Sequence, residues 1–85
     1  MPGKAMKTRL DLCDWIVAAL QDLNGKAQIK KVKEHIWQHH DREIIDSGGF
    51  HFTWNEDVYW AATQLRAKGI LKKAKETSKS VWALV

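Results

Sequence analysis

Lys72, Lys73, Lys75 and Lys79 crowd into residues 72–79, and Lys30-Lys31-x-Lys33 forms a second basic cluster. Ammonium groups at this density can grip phosphates without reading sequence. Between the clusters, Asn55, Tyr59, Thr63 and Arg66 fall at three- and four-residue steps, so on a helix they share one face. Asparagine can pair with an adenine edge and arginine with a guanine edge, each discriminating by about 1–3 kcal/mol. Other readings stand beside these. Lysines on an edge strand discourage sheet-to-sheet pairing, and a polar helix face can be simply solvated.

Other chemistry is thinly represented. His35 and His39, four apart, can hold a metal from one helix face, but no carboxylate or third histidine completes the set at helical spacing. His40 and His51 are nearby in sequence. Asp41, Glu43 and Asp46 sit in a stretch with no lysine in the strand arrangement of a metal-dependent nuclease. Cys13 lies beside Asp14, which does not activate a thiol. Neither catalysis, nor a cofactor, a metal or a small-molecule substrate is expected.

A chain of 85 residues makes one small domain, stable only if large side chains fill its core. Trp15, Trp37, Trp54, Trp60 and Trp82 are the anchors, one in or beside each expected element. The single cysteine excludes an intrachain disulfide and a cysteine zinc cluster, which suits a reducing cytoplasm. No apolar run is long enough to span a membrane, and no secretory leader opens the chain. The formal net charge is +4, unevenly spread. Six bases against Glu76 give residues 66–85 a charge of +5, whereas six acids against Arg42 leave residues 34–65 at −5. Such polarity suits a polyanionic partner, although solvated lysines on a small basic domain look similar.

Residues 1–8 lack apolar periodicity and read as a loose basic arm before a domain over 9–85. Leu12, Ile16, Ala19, Leu20 and Leu23 form the stripe of a first helix from Arg9 to Leu23, closed by Asn24-Gly25. Lys26-Ala27-Gln28 is too short for an independent strand but fits a short third strand edging a sheet. A second helix runs from Ile29 to His40, with Ile29, Val32, Ile36 and Trp37 inward. Residues 41–52 read as irregular, around the Gly48-Gly49 turn, with Ile44, Ile45, Phe50 and Phe52 able to fold back onto the core.

Thr53 and Glu56 have the spacing of a capping box that opens a third helix, which stops at Gly69. Trp54, Val58, Ala61, Ala62 and Leu65 are its buried stripe. Trp60 falls off both stripes, and burial is expected for it. Ile70 to Lys75 and Ser80 to Val85 then read as a lysine-rich hairpin, with Lys73 and Lys75 on one side and Lys72 on the other. This order is that of an α+β winged helix-turn-helix.

The residues also resemble a known family, the winged-helix domain at the N-terminus of Mrr-type restriction endonucleases. The likeness is carried by Trp54-x-x-x-Val58-x-Trp60-Ala61-x-x-x-Leu65-x-x-x-Gly69-Ile70-Leu71 and by Val81-Trp82-x-Leu84. Upstream, Ala27-x-Ile29-x-x-Val32 is similar to the family's entry to its second helix. The likeness extends from Leu12 to Leu84 and consists mostly of packing residues. Ser80 departs from the family's usual glycine, and the wing is longer and richer in lysine. No nuclease portion is represented.

The resemblance implies non-catalytic binding of double-stranded DNA, as the recognition module of a restriction-type or regulatory protein. The expected contacts are Lys30, Lys31, Asn55, Tyr59, Thr63, Arg66, Lys72, Lys73, Lys75 and Lys79. A larger parent protein or a second copy is a further possible partner; a membrane is not. The alternative is a winged helix reused for protein–protein interaction or dimerisation.

Overall fold

Thr8 opens the first helix. Its hydroxyl accepts from the Leu10 N–H, and its own N–H donates to Asp11 Oδ2 at 2.9 Å. The structure, a computed structural model, describes residues 7–85. Of the arm expected over 1–8, residues 1–6 lie outside the described residues. Lys7 and Thr8 are tied into the fold, Lys7 by its N–H to Ser47 Oγ and by an ion pair with Glu43 at 3.5 Å.

Helix α1 spans Arg9–Asp22 and buries Leu12, Trp15, Ile16, Ala19 and Leu20. Asn24 and Gly25 both turn left-handed, and the Gly25 N–H donates back to the Leu20 carbonyl. Strand β1, Lys26–Gln28, follows at once and leads into α2, Ile29–Ile45. Helix α3, Phe50–Ala67, precedes a single 3-10 turn at Ala74–Glu76 and strand β2, Val81–Ala83. The architecture is α+β, with three helices packed on one another and a two-stranded antiparallel sheet.

The sheet closes the fold at one end. Ala27 pairs with Trp82 across β1–β2, while an isolated bridge joins Leu71 to Leu84 on the far side of the same C-terminal segment. Trp82, Leu71 and Leu65 thereby complete the core begun by α1 and α3. Among the described residues no helix is long and apolar enough to cross a membrane.

Several expectations need correction. The lysine-rich segment is not a two-stranded ribbon. Only its base pairs, through the Leu71–Leu84 bridge and the Lys72 N–H to the Ala83 carbonyl. Beyond it the Glu76 carboxylate accepts from the Lys73 N–H at 3.0 Å and the chain turns into the 3-10 turn. A side chain that captures a backbone donor locally removes it from the ladder. The alternation expected of Lys72, Lys73 and Lys75 is lost with it.

The stretch from 41 to 52 is mostly helical. Helix α2 continues to Ile45 through a bend at His40, where φ is −134° and ψ 15°. The expected capping box at Thr53 does not form, because α3 starts three residues earlier. Thr53 Oγ1 donates instead to Asp57 Oδ2 within the helix. The early start brings Phe50 into the core, at 8% exposed. Burying such a side chain is worth about 1.5–3 kcal/mol, against about 1 kcal/mol for a cap. Burial wins. Ile44 is buried too, but Ile45 and Phe52 face solvent.

The tryptophans divide. Trp15, Trp54 and Trp82 are buried, while Trp60 is half-buried under the Arg9 guanidinium, 4.0 Å from the ring. Trp37, expected inward, is 37% exposed and stacks on Trp54.

Candidate nucleic-acid interface

Where α2 begins, three elements meet. Gln28 is the N-cap residue of α2 and makes no side-chain cap, and the first turn holds no acid. The Ile29 N–H donates to the Ser80 carbonyl at 2.7 Å, fixing the helix start against the C-terminal segment. Tyr59 of α3 stands beside it, edge-on to the buried Trp82 ring at 5.8 Å. The Lys33 ammonium lies 3.5 Å from the Tyr59 hydroxyl and 5.2 Å from the centre of its ring. An ammonium over an aromatic face is held by the ring's quadrupole.

These residues form a cleft. Gln28, Ile29, Lys30, Lys33, Tyr59 and Ser80 line a volume of about 360 Å³. A second hollow of about 380 Å³, between Lys30, Lys33, Glu34, Trp37, Trp54 and Asn55, adjoins it. Lys30 and Lys33 border both, so the two make one groove between α2 and α3. The positive end of the α2 dipole and two lysines favour an anion there, and Glu34 opposes it at the far end.

The sheet carries a second basic hollow, of about 500 Å³, lined by Lys26, Lys72, Lys75, Glu76, Thr77, Ser78, Val81 and Ala83. Residues two apart on a strand point the same way. Lys26 in this hollow and Gln28 in the groove are such a pair on β1, so its outward face adjoins both.

Of the sequence-predicted contacts, Lys30, Asn55 and Tyr59 therefore come together in the groove. Lys72 and Lys75 come together beside the sheet. Lys73 and Lys79 are exposed on the intervening loop and border neither. Lys31 lines neither hollow and pairs with Glu34 at 3.7 Å. Thr63 is exposed but donates its hydroxyl to the Tyr59 carbonyl. Arg66 is half-buried, its Nε enclosed and without a partner among the described residues.

Sequence reasoning passed over Trp37, Ser80 and Lys26 as site residues. Trp37 had a legible signal, since it lies four residues after Lys33 on the same helix face. Ser80 and Lys26 had none, because strand pairing alone brings them in. Elsewhere, Cys13 is an unpromising nucleophile: burial pushes its thiol above the usual 9.0, outweighing the opposing charge of Lys68.

Comparison of the chain with protein-family models, with curated proteins and with solved structures finds no match.

Proposed function

We propose that the domain is a winged helix-turn-helix that binds double-stranded DNA without catalysing a reaction on it. In this reading α3 enters the major groove, and Lys72 to Lys79 hold adjacent backbone as the wing. The resemblance to the Mrr-type N-terminal domain supports a recognition module of a restriction-type or regulatory protein, acting in the cytoplasm. The element order supports it as well, with β1 before the second helix and the C-terminal segment between β1 and residue 71.

One observation carries the reading. The exposed stripe of α3, through Asn55 and Tyr59, lies against the uncapped basic start of α2, with Lys26, Lys72 and Lys75 nearby across β1. A helix of groove-filling width beside about five phosphate-seeking amines is what backbone positioning plus base readout require.

A titration of labelled duplex at several salt concentrations tests it. Five neutralised phosphates give log affinity against log salt a slope of about −4 to −5. A flat response rules the proposal out.

A second reading has its own support. Phe52 is 82% exposed, and Trp37 and Tyr59 are each more than a third exposed. Aromatic side chains of this kind anchor protein–protein interfaces. Under that reading, a dimer or a protein complex forms with little dependence on salt, and duplex binding is absent.

A further inference from the structure

Asp22 ends α1, and the turn through Leu23, Asn24 and Gly25 brings α2 back alongside it. Asp22 Oδ2 thereby reaches His35 Nε2, at 2.9 Å. His39, one turn further along α2, stacks its ring on that of His35 at 4.0 Å. One ligand atom from each of the three side chains lies within 4.8 Å of the other two. The carboxylate that helical spacing alone does not supply comes from the neighbouring helix.

We propose that Asp22, His35 and His39 bind one divalent transition-metal ion of the zinc class. The donors are two imidazoles and a carboxylate, which suit zinc, nickel or copper rather than calcium or magnesium. His39 is prepared for the task. Its Nδ1 is 2.9 Å from the His35 carbonyl, which can only accept, so Nδ1 carries the proton and Nε2 presents its lone pair. A ligating histidine commonly donates its second nitrogen to a backbone carbonyl in this way.

His35 is held on one side only. Its Nδ1 is buried without a partner among the described residues, so Asp22 is the polar contact that places the ring. Two ligands of a tetrahedral ion stand about 3.3 Å apart, at metal–ligand distances near 2.0–2.1 Å. The Asp22 carboxylate accepts from His35 Nε2, so ion binding moves that proton to Nδ1 and frees the Nε2 lone pair. The pair then opens by only a few tenths of an ångström, and the exposed His39 ring turns out of its stack to close on the ion. Three protein ligands leave a fourth position for water.

The site is separate from the α2–α3 groove. Residues two apart on a helix point about 200° from each other, so His35 and His39 face away from Lys33 and Trp37. The ion would tie the end of α1 to the middle of α2, and an ion bound only by the folded chain raises its melting temperature.

The test is calorimetric titration of the full chain with zinc near neutral pH, alongside thermal unfolding with and without the ion. The expected result is one ion per chain and a higher Tm with zinc. In both Asp22→Ala and His39→Ala, affinity should fall by about tenfold or more, with no change in His51→Ala. Both ligand side chains are exposed on helices, and far-UV circular dichroism checks that each variant folds. Absence of saturable binding overturns the proposal, as does binding that survives either substitution. A loss in His39→Ala alone therefore also overturns the three-ligand site, leaving only a histidine pair.

Discussion

The groove between α2 and α3 and the loop over residues 72–79 are both basic, yet they are built in opposite ways. In the groove the aromatic side chains and Lys33 have fixed neighbours: Tyr59 leans on Trp82, Lys33 on Tyr59, Trp37 on Trp54. In the loop, Lys72 is exposed at the last backbone bond to β2, and Lys73, Lys75 and Lys79 are exposed on backbone that has left the sheet. A packed surface can demand a shape from its partner, whereas solvated amines supply attraction and little else. If the domain binds DNA as proposed, selectivity belongs to the first region and the salt response to the second.

The sharpest way to break this contrast is to remove the support under Tyr59. Trp82 is 2% exposed, and Trp82→Ala should destabilise the domain by about 3–5 kcal/mol in urea denaturation. A loss below about 1 kcal/mol would show that the groove's floor is not set by packing. Lys73→Ala should stay within about 0.5 kcal/mol of the parent chain.

A smaller effect separates the two regions in binding. Asn55→Ala should cost about 1–3 kcal/mol on a preferred duplex and little on others, flattening the preference. Lys75→Ala should weaken all duplexes alike and reduce the salt slope by about 1. Competition titrations with two duplexes read both. Equal and uniform losses would refute the division.

The smallest effect lies away from both regions and serves as their reference. The hydrogen bond from His40 holds the Glu43 carboxyl below its usual 4.5, against opposing burial and with help from the charges of His40 and Lys7. A depressed folded-state pKa stabilises above the unfolded value, and that contribution is lost as pH falls through the folded value. Stability should therefore decline below about pH 4.5, and less steeply in Glu43→Gln. Identical acid limbs for the two chains would remove Glu43 from the account. Duplex affinity at neutral pH should not change with this substitution.

Much of the helical framework was legible because it rests on local rules. The stripe of α1, its stop at Asn24-Gly25, the start of α2 at Ile29 and the buried face of α3 follow from spacing and from glycine's freedom at positive φ. The short strand over 26–28 was legible from its place between two helices, although its length argued against an independent strand. The start of α3 was misread because Thr53 and Glu56 satisfy a local rule that a non-local gain overrides, the burial of Phe50. The hairpin was misread for the opposite reason: alternation suggested a ladder, and one short-range bond to Glu76 takes the backbone out of it.

The amino-acid order alone settled the buried stripes of the three helices, that tryptophans rather than a disulfide anchor the core, and which segments carry positive charge. It could do so because helix periodicity, turn chemistry and charge are properties of neighbours along the chain. Tertiary structure alone decided that Lys33 lies on Tyr59, that Lys26 joins Lys72 and Lys75, and that Asp22 meets His35 and His39. Those groups are brought together by helix packing and strand pairing, which follow from the burial of the whole core rather than from any one stretch of residues.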